Sequence, residues 1–306
     1  MLSIGFDTSN YTTSCAWFDG EKGENFSRLL DVKPGELGLR QSDALFSHIK
    51  RLPELSDRLF AHLKPENICA IGVSTRPRAV EGSYMPCFLA GESQARVLAD
   101  ALHVPLYTFS HQQGHIAAAL WSAGRLDLLQ KPHLAWHLSG GTTELLLITP
   151  EQKNVRAEKI GGTSDISAGQ LIDRTGQLLG MQFPSGKAID AAAGESDCTE
   201  FFRVKVSQYE FSLSGVQNQI QSFYQSTGDA SATASYCLRS VIHAIRKATQ
   251  NALKAYPDYP VVFSGGVASN KLLRLKMQDM DAVFAAPEFS TDNAMGIAVL
   301  TALQED

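Results

Sequence analysis

The sequence lacks the features that would tie a chain together covalently or hold it in a bilayer. Five cysteines in 306 residues, Cys15, Cys69, Cys87, Cys198 and Cys237, are scattered, odd in number and never at close metal-ligand spacing. Such usage reads as reduced thiols in a reducing compartment, not a disulfide framework. No window approaches the roughly eighteen uninterrupted apolar residues of a membrane helix. The N-terminus has neither the basic start nor the apolar run of a secretory signal and opens directly into a strand pattern. Positive charge is also scarce: 27 Lys and Arg face 32 Asp and Glu, a net charge of -5. A stand-alone nucleic-acid binder would carry a basic face, so basic surface here is expected in a local patch or from a partner subunit. With 44% hydrophobic and 8% aromatic residues the chain has the composition of an ordinary globular enzyme, not a disordered one. These absences together predict a cytoplasmic protein with no membrane segment.

What is present is a repeated order of elements. In the first half, strands are predicted at Leu2–Asp7, Thr13–Phe18 and near Glu24–Leu30. A helix at Arg40–Leu63 carries apolar residues at helical spacing and ends before Pro65. Strand Ile68–Ser74, helix Phe88–Leu102, strand Val104–Phe109 and helix His111–Ala123 follow. The second half repeats this with strands at His133–Leu138, Glu144–Ile148 and Val155–Ile160, helices at Ser164–Leu179, Gly215–Tyr224 and Ala230–Tyr256, and strand Val261–Ser264. Helix Ser269–Met280, strand Val283–Ala285 and helix Asp292–Leu303 close it. Gly5-Phe6-Asp7-Thr8-Ser9 and Leu138-Ser139-Gly140-Gly141-Thr142-Thr143 answer to one another as strands entering tight hydroxylated turns. Turns of that kind aim backbone N–H groups at an anion. The expected fold is a duplicated α/β, actin-like (actin/hexokinase/Hsp70) architecture with two lobes and a nucleotide between them. One lobe is placed at residues 1–128, with closing helix 291–304 packing back on it. The other is placed at 129–290, with a helical insertion at about 161–225.

Three segments carry chemistry. In Ser110-His111-Gln112-Gln113-Gly114-His115, two histidines at i and i+4 share a helix face after a strand end. That spacing suits one metal ion, or a histidine pair without metal. A zinc peptidase of the HExxH type is disfavoured, because Gln112 stands where the general-base Glu would be. Ser264-Gly265-Gly266-Val267-Ala268-Ser269-Asn270 joins a strand to a helix; it is a plain turn with an N-cap, or a contact for an anion or nucleoside edge. Asp292, in Ser290-Thr291-Asp292-Asn293, is a helix-terminal acid or the third member of a His-His-Asp metal set.

In order along the chain, these motifs resemble the Kae/Gcp/TsaD family of tRNA N6-adenosine threonylcarbamoyltransferases. The resemblance further takes in Asp173-Arg174, Pro184-Ser185-Gly186 and Phe211-Ser212-Leu213-Ser214-Gly215, and runs from residue 3 to about 300. It implies transfer of a threonylcarbamoyl group from threonylcarbamoyl-adenylate to N6 of adenosine 37 in tRNA. It further implies one divalent metal, iron(II) with zinc or manganese as alternatives, held by His111, His115 and Asp292. Asp7 and Ser139 are expected in catalysis. Ser9, Gly140, Gly141, Thr142, Asp173, Gly186, Asp190, Gly265, Gly266 and Asn270 are expected against the nucleotide. Partner proteins of a threonylcarbamoylation complex, or a homodimer, are implied as well. Should tRNA bind, the expected contacts are Arg76, Arg78, Arg203, Lys205, Lys271 and Arg274.

The chain also departs from the family pattern. Asn10-Tyr11-Thr12-Thr13 stands where Cys-Asp-Glu/Asp-Thr is usual. Thr142 replaces a His, Gln170 a Glu, and Gln217 a Lys. These changes keep open a carbamoyl-adenylate transferase with a non-tRNA acceptor, and a nucleotide-binding scaffold without turnover. A sugar or acetate kinase of the same fold would not need the two histidines.

Overall fold

The computed structural model describes all residues except 10, 32–38, 62 and 306. The substituted position Asn10 therefore lies outside the described residues. The chain divides into two compact units. The first comprises Met1–Lys131, Thr149–Ala157 and Asp292–Asp306, and the second Pro132–Ile148 and Glu158–Thr291.

The first unit is built on β1 (Leu2–Asp7), β2 (Thr12–Phe18), β3 (Gly23–Leu29), β4 (Ile68–Arg76) and β5 (Leu106–Ser110). Their order is β3-β2-β1-β4-β5. β1, β2 and β3 pair antiparallel, and β4 and β5 join parallel. Helices α1 (Gln41–Phe60), α2 (Phe88–Leu102) and α3 (His111–Ser122) intervene. Helix α1 buries Leu52, Leu55 and Leu59 at the apolar spacing read from the sequence, but its first turns bury Ala44 and His48 and leave Ile49 exposed.

The second unit carries β6 (His133–Leu138), β7 (Thr143–Glu151), β8 (Asn154–Thr163), β9 (Val206–Ser207), β10 (Glu210–Phe211), β11 (Val261–Ser264) and β12 (Ala282–Phe284). Their order is β12-β11-β6-β7-β8-β10-β9. Without the β10-β9 extension, this is again third, second, first, fourth, fifth. The duplication expected from the two turns is thus present in strand order. Helices α4 (Ala168–Leu178), α5 (Gly186–Gly194), α6 (Ser214–Thr227), α7 (Ala230–Ala255) and α8 (Lys271–Lys276) belong to this unit. Trp136 on β6 is fully buried and donates its indole N–H to Thr249 Oγ1 on α7 at 2.9 Å.

Helix α9 (Met295–Glu305) returns to the first unit and packs on β1, β4 and α3. Its residues from Met295 to Ala302 are buried all round, as expected of a core helix and unlike a surface one. Its fit depends on missing side chains. A Cβ on Gly296 would fall on the carbonyl oxygen of Gly114 in α3, so the two backbones touch there.

Several boundaries differ from the sequence reading, and three of them bear on the site. α4 begins at Ala168, not Ser164, because Ser167 and Gln170 form a capping box that fixes its start. The region expected as one helix at Ser269–Met280 begins as a 3₁₀ turn at Gly266–Ser269, with Asn270 capping the short α8. α9 starts at Met295, so Asp292 lies in its non-helical approach. Among the described residues no helix is long and apolar enough to cross a membrane.

Candidate functional site

In the first unit, the end of β1, the start of α3 and the approach to α9 converge. Ser110 caps α3 in a capping box with Gln113, which fixes the first turn bearing His111. The backbone contact of Gly114 with Gly296 then holds that turn beside Asp292. His115 Nε2 lies 2.9 Å from His111 Nε2, and Asp292 Oδ1 lies 3.3 Å from the first and 3.6 Å from the second. The three ligand atoms all fall within 4.8 Å of one another. Two imidazole nitrogens and a carboxylate oxygen aimed at one point repel unless a cation sits among them, so the donor set fits a divalent ion.

Asp7 stands behind this set. Its carboxylate is fully buried, accepts from His111 Nδ1 at 2.8 Å and accepts from the Ser9 backbone N–H at 2.9 Å. A carboxylate can only accept here, so Nδ1 carries the proton and Nε2 is the ligand atom. This is the carboxylate–histidine arrangement that orients metal ligands. Asp7, expected in catalysis, thus touches the set through His111 Nδ1. Burial raises the Asp7 pKa, but the His111 charge and hydrogen bond outweigh it and leave the carboxyl below its usual range. Burial likewise lowers His111, but the charge of Asp7 and hydrogen bonds to Asp292 and Asp7 reverse this and raise it to about 10. Asp292 is held well below the carboxylate range, its burial outweighed by hydrogen bonds from both histidines.

The sequence did not single out Thr12 for this site, yet its hydroxyl donates to Asp292 Oδ2 at 3.3 Å. The two residues are 280 positions apart, and no local pattern could have joined them.

In the second unit, the turn after β6 closes on itself. Ser139 N–H donates to Thr142 O at 2.8 Å, and Thr142 N–H donates to Ser139 Oγ at 3.0 Å. The Ser167 hydroxyl donates to Gly140 O at 2.6 Å. Gly140 and Gly141 are exposed with open space on their Cβ side. Gly265, at φ +92°, brings its Cα against the Leu138 carbonyl, a conformation and approach that only glycine allows. Gly266 beside it is exposed. Asn270 and Asp190, both expected against the nucleotide, bond to each other at 2.6 Å, and Asn270 Oδ1 caps α8 through Leu273 N–H. Asp173 Oδ1 accepts from Ser185 N–H at 2.8 Å, which fixes the turn into α5 that begins at Gly186.

The substituted positions have structural work. Gln170 completes the α4 capping box, and Gln217 accepts from Arg174 at 2.9 Å. Asp165 gathers the Phe211–Gly215 segment, accepting from the Ser212 hydroxyl at 2.5 Å and from Leu213 N–H at 2.8 Å. Of the basic residues expected against tRNA, Arg274 is committed internally. It stacks on Phe284 at 4.8 Å and donates to Ala268 O and Ala285 O.

With the geometry in place, the comparisons are specific. Solved structures share the fold. A full-length HypF in phosphate- and nucleotide-bound form aligns with a TM-score of 0.59 at 14% identity, over 99% of this chain and 54% of that one. The activator of 2-hydroxyisocaproyl-CoA dehydratase from Clostridium difficile aligns with a TM-score of 0.54 at 13% identity, over 100% and 95%. The tRNA N6-adenosine threonylcarbamoyltransferase of Streptococcus suis (strain 05ZYH33) is 31% identical over 263 residues, 81% of this chain and 74% of the relative. That of Enterococcus faecalis (strain ATCC 700802 / V583) is 34% identical over 228 residues, 71% and 62%. The profile of the TsaD family, tRNA N6-adenosine threonylcarbamoyltransferase, matches residues 37–299. The protein is therefore an actin-like, two-unit member of the tRNA N6-adenosine threonylcarbamoyltransferase family.

Proposed function

We propose that this chain transfers a threonylcarbamoyl group from threonylcarbamoyl-adenylate to N6 of adenosine 37 in tRNA. The observation that carries the reading is the convergence of His111, His115 and Asp292 with Asp7 behind them. These residues would serve as a cation site in a chain of this family. A divalent ion held there, iron(II) by family resemblance, would supply Lewis-acid polarisation of the carbamoyl carbonyl. The chain's own residues do the rest. Asp7 keeps the Nδ1 proton on His111 and so presents the Nε2 lone pair. Thr12 steadies Asp292. The exposed Gly140 and Gly141 backbone offers anion contacts, and its turn is pinned by Ser139 and Ser167. An exocyclic aromatic amine is a poor nucleophile, so positioning and charge stabilisation carry much of the rate. The protein works in a reducing cytoplasm, with partner subunits of the threonylcarbamoylation complex.

A second reading keeps the adenylate and changes the acceptor. It is favoured by Thr12, which stands where the family carries an acid and whose hydroxyl is already bonded to Asp292. Such a site suits an acceptor that is already a better nucleophile.

The test is metal analysis of the wild-type protein beside His111→Ala/His115→Ala, followed by transfer from labelled threonylcarbamoyl-adenylate to tRNA. Stoichiometric metal lost in the variant, with label passing to tRNA, supports the proposal. Metal with label passing only to another acceptor supports the second reading. No metal and no adenylate binding would leave a scaffold.

A further inference from the structure

The second unit carries a groove that neither the metal set nor the nucleotide turns use. It has a volume of about 220 Å³ and lies along α7, between the strap bearing Phe201 and helix α8. Arg239, His243 and Arg246 from α7 and Lys276 from α8 line it, over Ile242 and Leu272. Arg203 and Lys247 flank it. Arg203 lies two residues beyond Phe201 on the strap and Lys247 four residues beyond His243 on α7; burial first, and then their two charges, hold the His243 imidazole below its usual range.

The charges in and around this groove are unbalanced. Arg246 is taken up by Asp279, with two bonds at 2.7 and 2.6 Å. Among the described residues, Arg203, Arg239, Lys247 and Lys276 make no ion pair. Gathering like charges opposes folding, and of the basic side chains named here Arg246 alone is paired with an acid, in a chain whose net charge is -5. Arg239, His243 and Lys247 recur every four residues and so share one face of α7. Eight residues of helix cover roughly 12 Å at about 1.5 Å each, the reach of several phosphates along one strand. The Phe201 ring, 37% exposed, lies 5.1 Å from the His243 ring and offers an aromatic face at the groove's end. A cationic row with an aromatic platform is the combination that tracks a polynucleotide backbone and stacks a base.

We propose that the α7 groove is a docking surface for the phosphate backbone of an RNA, gripped by Arg203, Arg239, Lys247 and Lys276. The inference rests on the tRNA reading above and adds to it the place where the acceptor is held away from the reacting adenosine. It revises the set of basic residues expected from the sequence: Arg203 stays, Arg274 leaves, and the α7 row enters.

The test is tRNA binding by the full chain across a salt series. It compares wild type with Arg203→Glu/Lys247→Glu/Lys276→Glu, all three exposed, and with the milder Arg239→Gln. Metal content and melting temperature serve as controls for folding. The triple variant is expected to lose tRNA affinity by at least about tenfold. Its slope of log affinity against log salt should flatten by about 2 to 3, at roughly 0.7–0.9 per lost phosphate contact. Arg239→Gln should show a smaller loss in the same direction. Wild-type affinity and slope in both variants would overturn the groove while leaving the tRNA reading standing. Failure of the wild type to bind tRNA at any salt would overturn both. Equal binding of a polyaspartate probe, lost in the same variants, would assign the groove to an acidic protein instead.

Discussion

At the scale of single residues, the most consequential is Asp7. It touches no ligand position, yet it decides which nitrogen of His111 carries a proton. Asp7→Asn keeps the shape and removes the charge, and is expected to weaken metal binding by about 10–100-fold, measured by competition with a chelator. The pH behaviour follows from His111. Its pKa in the folded protein, about 10, lies above the ordinary 6.5. The proton therefore stabilises the metal-free fold fully below about 6.5, and that stability is lost as pH rises through about 10. Metal must displace the same proton, so its affinity should climb with pH across this window. A metal titration at pH 8 in weak buffers should release close to one proton per ion. Release of none would mean that His111 is already neutral. Sequence reading reached His111, His115 and Asp292 because residue type and family order named them. The contact of Asp7 with His111 Nδ1 was not legible, because it spans 104 positions.

At the scale of elements, the approach of α3 to α9 brings His111 and His115 to Asp292. Gly296→Ala would push its methyl into the Gly114 carbonyl. Overpacking of this kind costs about 1–3 kcal/mol, and here it should also loosen metal binding, because His111 and Asp292 sit on the two parts forced apart. Gly140→Ala is the contrast. Its added Cβ meets nothing within 4 Å, so stability should stay within about 0.5 kcal/mol, while binding of an adenylate analogue falls. Melting curves and analogue titration on the two variants separate packing from ligand contact. In the second unit, Asp165→Ala should release the backbone N–H groups of Leu213 and Ser214, seen as faster hydrogen exchange confined to that segment. The long elements were legible, α1 through its buried stripe and α7 through its length. The starts of α4 and α8 were not, because each is set by a side-chain cap, Ser167 with Gln170 and Asn270, that competes with helix propensity over three or four residues. The two-residue strands β9 and β10 carry too few positions for any period to show.

At the scale of the whole molecule, the metal is expected to be a folding ligand of the first unit. Removing an ion that stands at about 100 times its Kd withdraws about 2.7 kcal/mol. Chelation should therefore lower the melting temperature of the wild type by several degrees and leave His111→Ala/His115→Ala unchanged. Equal shifts in both proteins would place the chelator's effect elsewhere. The repeated strand order was legible in the two matching turns. The return of α9 was read from its place in the actin-like pattern and not from any contact visible in the sequence. The first unit's residues are not contiguous: Asp292–Asp306 is separated from Met1–Lys131 by the whole of the second unit. During synthesis, both histidines and Asp7 leave the ribosome well before their carboxylate partner. Until then, the sheet face that Gly5 and Gly72 keep clear for α9 stays bare. A chain arrested before Asp292 thus carries an uncovered apolar face and an incomplete ligand set, two marks by which a cell's chaperones and proteases can tell an unfinished copy from a finished one.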